Sequence, residues 1–225
     1  MREFNALKSY PKLDKRVVGD RMIKHRIIAC NRGFDFFDGD RNYGYGGYHY
    51  NGWWLPVAKD LVEEYGLTGE SSVLQLQCEK GFLLHDLLSL HPMKVKGSET
   101  SVYARHTAMK NVKNSIILSP PIHIQADKHE FDLVIALGVV YSLMLSDAMD
   151  CLREITRVGK QSFITLASYD TEEDLRLFRQ WTLLSSLVLK KDEWREVLNH
   201  CGFTGDYQFI NAQTLRLMEQ SHGGN

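Results

Sequence analysis

The stretch SSVLQLQCEKGFLLHDLL, residues 71–88, constrains the fold more than any other part of the chain. A short apolar run leads through a tight turn into leucines spaced three and four apart, the pattern of a buried strand followed by a helix. The alternation then repeats. MKVKGSE, SIILS, FDLVIALGV, SFITLAS and DYQFI read as strands; SVYARHTAMKNV, SDAMDCLREITRV, EEDLRLFRQWTLLSSLV and LKKDEWREVLNHCGF read as helices. VAKDLVEEYG, residues 57–66, reads as a helix that stops at its glycine. Ser146 or Asp147 is the expected N-cap of the helix over 146–158. Such alternation requires right-handed crossovers, so the chain is expected to be α/β, with a mostly parallel central sheet and helices on both faces. The continuous apolar run of FDLVIALGV suits a strand buried on both sides. Ligands of open α/β sheets lie beyond the carboxyl ends of the strands, which here means residues 75–81, 98–101, 119–128 and 137–144.

Residues 1–56 read as an N-terminal extension to an α/β domain over 57–225. A helical pattern lies near 15–30, and eight basic residues crowd positions 8–32, from Lys8 to Arg32; a solvated helical face is the ordinary reading of such a cluster. Residues 34–56, FDFFDGDRNYGYGGYHYNGWWLP, are dense in rings and glycine. They fit either a loop packing its own rings onto the domain or a lid over a pocket.

A net charge of −1 gives no electrostatic footprint for nucleic acid or an anionic membrane. The longest apolar run, residues 133–141, is too short to span a bilayer, and the N-terminus has no apolar leader. Cys30, Cys78, Cys151 and Cys201 form no CxxC pair and are expected to be buried thiols in a reducing cytoplasm. The nine histidines show no metal-ligand spacing, so no metal is expected.

VLxLxCxKGFLLHDL, the acidic Glu99 closing the second strand, FDLVIALGVVY, and LREITRVGKQSFITLASY together resemble a class I S-adenosylmethionine (SAM)-dependent methyltransferase with a Rossmann-like fold. DFFDGDRNYGYGGYHYNGWW and WREVLNHCGFTGDYQFI extend the resemblance to a bacterial subgroup linked to surface-polysaccharide loci. The resemblance implies cofactor contacts from Gln75, Gln77, Glu79, Gly81, Glu99 and Asp127. Glu99 would accept hydrogen bonds from the ribose hydroxyls, and Asp127 lies where relatives contact the adenine. The turn departs from the family pattern: of its three small positions only Gly81 survives, Gln77 and Glu79 replace the others, and Gln75 lacks the charge that supports the SAM ammonium. A Glu79 carboxylate about 4 Å from the cofactor carboxylate would cost roughly 4 kcal/mol at an effective dielectric near 20.

Two functions follow as expectations, and the residues neither support nor exclude a third, a pocket retained for another ligand such as a nucleotide sugar. In one, the protein has a degenerate SAM site, is non-catalytic or a weak SAM binder, and is the partner subunit of an active methyltransferase paralogue or a homo-oligomer. Tyr43, Tyr45, Tyr48, Tyr50, Trp53, Trp54, Trp181 and Trp194 would form its interface. In the other, it is an active methyltransferase on a small polar or sugar-type acceptor, with His123, Tyr141 or His49 as the candidate base. His85 and Asp86 read as a surface pair rather than a dyad.

Overall fold

The computed structural model describes residues 1–11, 16–19 and 21–219. In chain order the elements are β1 (Arg2–Glu3), β2 (Arg16–Val18), α1 (Ile23–Cys30), α2 (Phe34–Phe37), α3 (Leu55–Tyr65), β3 (Ser72–Leu76), α4 (Phe82–Leu90), β4 (Lys94–Glu99), α5 (Val102–His106) and β5 (Ile116–Leu118). They continue with β6 (Phe131–Ala136), α6 (Leu145–Val158), β7 (Gly159–Ala167), α7 (Glu172–Trp181), α8 (Lys191–His200), β8 (Asp206–Ile210) and β9 (Leu217–Glu219).

Seven strands form one sheet in the order β1-β8-β7-β6-β3-β4-β5, and each neighbouring pair is parallel. From β3 the order runs outward one way through β4 and β5. From β6, which sits against the other side of β3, it runs outward the opposite way through β7 and β8. The β3–β6 boundary is therefore the topological switch, and the turns after these two strands open a crevice there. Alternate residues of the central strands feed opposite layers. Val73, Leu133 and Ile135 pack with Leu61 and Leu84 of α3 and α4, while Leu74, Leu76, Val134 and Ala136 pack with Leu152 of α6 and Trp194 of α8. Trp194 is fully buried and donates its indole N–H to the Ala167 carbonyl at 2.7 Å, so it belongs to the core and offers nothing to an interface.

The extension is built into this sheet. Its β1 adds an edge strand to β8, and Phe4 meets Phe163 edge to face. β-branched Val17 and Val18 lie in β2, which pairs with β9, so the expected helix near 15–30 is confined to Ile23–Cys30, and residues 12–15 and 20 of it lie outside the described residues. Other helices also stop short of expectation. The one over 101–112 ends at His106, because the Met109 amide turns back to the Lys80 carbonyl at 2.9 Å. The one over 172–188 ends at Trp181, because Ser186 and Leu187 both donate their amides to the Tyr141 carbonyl. α6 starts at Leu145 with Met144 as its cap, in place of Ser146 or Asp147. Gly66, at φ 61°, closes α3 as expected. Three cysteines are buried, but Cys30 is exposed at the end of α1. No helix among the described residues is long and apolar enough to cross a membrane.

Candidate cofactor cleft

A cleft of about 740 Å³ opens over the carboxyl ends of β3, β6 and β7. Gln75, Gln77, Cys78 and Glu79 form its floor, with Gly138 and Tyr141 after β6 and Thr165 of β7. Tyr45, Tyr48, Trp54 and Trp181 supply aromatic walls.

The turn after β3 has left-handed backbone at three alternate positions: Gln77 at φ 45°, Glu79 at φ 55° and Gly81 at φ 74°. For an L-residue this conformation costs about 1–2 kcal/mol, so the backbone keeps a glycine-type trace while two of its side chains do not suit it. Gly81 is also fixed by space, since a Cβ there would lie 2.6 Å from Val112 Cγ2.

Glu99 ends β4 fully buried. Its Oε1 accepts the amides of Thr100 and Ser101, and its Oε2 accepts the amide of Glu79, each at 2.8 Å. The Arg32 guanidinium lies 3.3 Å from both oxygens. A carboxylate offers about four acceptor sites, and the chain itself fills them. Arg32 reaches this position from the turn after α1, at φ 46°, with its guanidinium over the rings of Phe36 and Phe37.

The aromatic segment lies across the turn, so it caps its own rings and walls the cleft at once. Tyr45 donates to Glu79 Oε1 at 2.6 Å, stacks on Tyr48 at 4.2 Å, and Tyr48 stacks on Phe82 at 4.7 Å. Burial, opposed by Arg32, raises the Glu79 pKa, so this carboxyl holds its proton more tightly than an exposed one. Burial and Glu79 push Tyr45 and Tyr48 well above the usual phenol range. Beneath them Lys80, 4% exposed, donates to both Asp38 oxygens and to the Tyr48 carbonyl at 2.7–2.8 Å. Asp38 also accepts from the Tyr103 hydroxyl and the Tyr48 amide. Burial alone would raise the Asp38 pKa; these donors outweigh it and hold the carboxyl at about 2.

The cleft thus gathers Gln75, Gln77, Glu79 and Tyr141 among the residues singled out in the sequence, with Glu99 and Gly81 immediately behind the turn. Asp127, His123 and His49 are exposed and do not line it. Arg157 of α6 donates to the Ile124 and Ala126 carbonyls, which fastens this loop to α6. The Tyr141 hydroxyl lies beside Gly138, and burial together with Glu79 raises its pKa. Asp86 is 1% exposed and accepts from the Tyr50 hydroxyl at 2.5 Å, so His85 and Asp86 are not a surface pair. Sequence reasoning missed Arg32 as the partner of Glu99, and missed that Arg16, Arg21 and Arg41 line the cleft. The crowding of basic residues was the available signal, but several of them turn inward instead of forming a solvated face.

No protein-family model and no curated protein matches the chain. Solved structures do. A chain of the complex between the Haloferax volcanii Trm112 methyltransferase activator and a methyltransferase matches with TM-score 0.55 and 17% identity, over 80% of this chain and 76% of that one. A protein from Bacillus halodurans assigned as a methyltransferase matches with TM-score 0.54 and 13% identity, over 64% and 68%. The [4+2]-cyclase SpnF matches with TM-score 0.51 and 17% identity, over 66% and 58%. At these identities the likeness is one of architecture, and it agrees with the strand order and the switch-point cleft: the chain has the Rossmann-like fold of class I SAM-dependent methyltransferases.

Proposed function

We propose that the protein is a non-catalytic member of this fold, a weak SAM binder at most, that serves as the partner subunit of an active methyltransferase. The observation that carries the reading is the Arg32–Glu99 pair. The carboxylate that would take the ribose hydroxyls is fully buried and its acceptor sites are filled by three backbone amides and Arg32. The neighbouring residues fit the cofactor no better. Gln77 stands where a glycine would let the backbone approach the ligand, and Glu79 places a carboxyl, bonded to Tyr45, in the same crevice. Ala167 and Ser168 at the end of β7 offer no ionisable group.

Tyr45 and Tyr50 beside this turn, and Trp53 against Tyr10, keep about two-fifths of their surface exposed and supply aromatic anchors for a partner chain. One of the fold's neighbours is consistent with such a role at the level of architecture, since it is solved in complex with an activator. The resemblance to a subgroup linked to polysaccharide loci supplies the setting, a cytoplasmic complex with an intact paralogue. The second reading, an active methyltransferase on a small polar or sugar-type acceptor, is favoured by the cleft's volume and by Tyr141 within it.

Calorimetric titration with SAM and S-adenosylhomocysteine separates the two. No saturable heat is expected for the natural chain, and binding is expected to appear when Arg32→Ala is combined with Gln75→Asp, Gln77→Gly and Glu79→Ala. Micromolar binding by the natural chain would overturn the proposal. A folded variant that gains nothing would show that these side chains are not the obstacle.

A further inference from the structure

Four arginines, Arg16, Arg21, Arg32 and Arg41, line the same cleft, and among its described lining residues Glu79 alone carries an opposing charge, an excess of three positive charges. Arg32 is committed to Glu99. Among the described residues, Arg16, Arg21 and Arg41 make no ion pair: Arg16 lies over the Trp181 ring at 5.8 Å, and Arg41 donates to the Gly44 carbonyl. Burial lowers the pKa of Arg16 and lowers that of Arg21 to about 10, and Arg41 adds repulsion to both. Concentrating like charge in a half-enclosed space is unfavourable until an anion enters.

The floor carries a second, independent signal. Gln75 is 7% exposed, lines the cleft, and its Oε1 has no hydrogen-bond partner. A buried acceptor left unmade costs about 1–3 kcal/mol, so this position asks for a donor from a ligand.

We infer that the cleft binds an organic phosphate: phosphoryl oxygens held by Arg16, Arg21 and Arg41 at the mouth, with a hydroxyl or N–H of the attached body reaching Gln75. Guanidinium forks match phosphate oxygens bidentately. With Arg32 offset by Glu99, and Glu79 opposing one of the other three arginines, two positive charges remain; a single carboxylate would offset one of them, whereas a diphosphate offsets both. The aromatic walls suit a flat or ring-shaped body. This inference goes beyond the partner-subunit reading and does not depend on it, since it concerns the mouth and Gln75 rather than the Arg32–Glu99 crevice.

The test is calorimetry of the full chain with uridine diphosphate, pyrophosphate, uridine and glutarate, at low and high ionic strength. Uridine diphosphate and pyrophosphate are expected to bind and to weaken with salt, and uridine and glutarate are not. Arg21→Gln or Arg41→Gln should weaken uridine diphosphate about tenfold or more, with the lysine variants intermediate because they keep the charge and lose the fork. Should a variant unfold, protection of the natural chain's arginines by pyrophosphate against a dicarbonyl reagent gives the same answer. Absence of phosphate binding, glutarate binding as tightly, or indifference to the arginine substitutions would overturn the inference. SAM titration of the same samples reports separately on the partner-subunit reading.

Discussion

Replacing Arg32 by alanine tests whether the guanidinium is what holds the buried Glu99 carboxylate. Removing one member of a buried ion pair costs about 3–5 kcal/mol when the other is stranded. Glu99 would not be stranded, because three amide donors at 2.8 Å remain. The guanidinium also stands at 3.3 Å, longer than the roughly 2.7–2.9 Å of a strong charge-assisted bond. Both facts lower the electrostatic loss to about 2 kcal/mol. Loss of the contacts with the Phe36 and Phe37 rings, 5.5 and 5.8 Å from the guanidinium carbon, adds about 0.5–1 kcal/mol. The left-handed backbone at φ 46° gives nothing back, since alanine is no better suited to it. The expected total, about 2.5 kcal/mol, corresponds to a fall in melting temperature of about 5–10 °C for a domain of this size. Urea titration measures it directly, and Arg32→Lys should recover part of it. A loss below about 0.5 kcal/mol, the range of an ordinary surface substitution, would refute the reasoning: Glu99 would then not need Arg32, and the pair could not carry the proposed function.

Gln77→Gly should be neutral or slightly stabilising in chemical denaturation, because relief of the left-handed side chain offsets glycine's entropy of about 0.5–1 kcal/mol, whereas a glycine placed in an ordinary strand position loses that amount outright. Gly81→Ala should lose about 2 kcal/mol or more, since its Cβ meets Val112 at 2.6 Å and its φ is 74°. Asp38 has a folded-state pKa depressed to about 2, so its contribution to stability is present above about pH 3.8 and is lost as pH falls from there towards 2; Asp38→Asn should remove that segment of the pH–stability curve. Glu79 has the opposite sign: its raised pKa makes stability fall as pH rises from the ordinary value of 4.5 through the folded value, and Glu79→Gln should flatten that slope.

The sheet was legible because its signals are local. β6 and β7 carry short apolar runs of strand length, β3 and β8 set apolar residues among polar ones, and DYQFI coincides with Asp206–Ile210. Helix ends were less legible where a distant carbonyl decided them: nothing in SVYARHTAMKNV announces that Met109 will bond to Lys80, and nothing in TLLSSLV announces that it will be drawn to the Tyr141 carbonyl. The site divides the same way. Glu99 and the turn could be placed by pattern, because strand and glycine positions fix them. Arg32 is 67 residues from Glu99, and a contact of that separation leaves no periodic trace in one sequence. The basic N-terminus was visible, but whether its cations face water or a cleft depends on β2 pairing with β9 at the far end of the chain.

Two kinds of constraint act on the turn after β3, and they separate here. The backbone path is fixed from outside: the Cys78 amide bonds to Ser98, the Glu79 amide to Glu99, the Gly81 amide to Cys78, and Gly81 leaves no room against Val112. Those contacts hold φ positive at residues 77 and 79 whatever side chain is attached, which is how Gln77 and Glu79 occupy glycine-type conformations without refolding the loop. The side chains, by contrast, answer to what enters the crevice. A turn that must let a ligand touch its amides cannot keep both Gln77 and a Tyr45-bonded Glu79, whereas a turn that must only close a sheet edge and seat an aromatic segment can. The preserved trace therefore has a physical origin in packing: Lys80, Asp38 and Val112 demand the loop's shape, and under the proposed function only its inner face is free to differ from that of a SAM-binding turn.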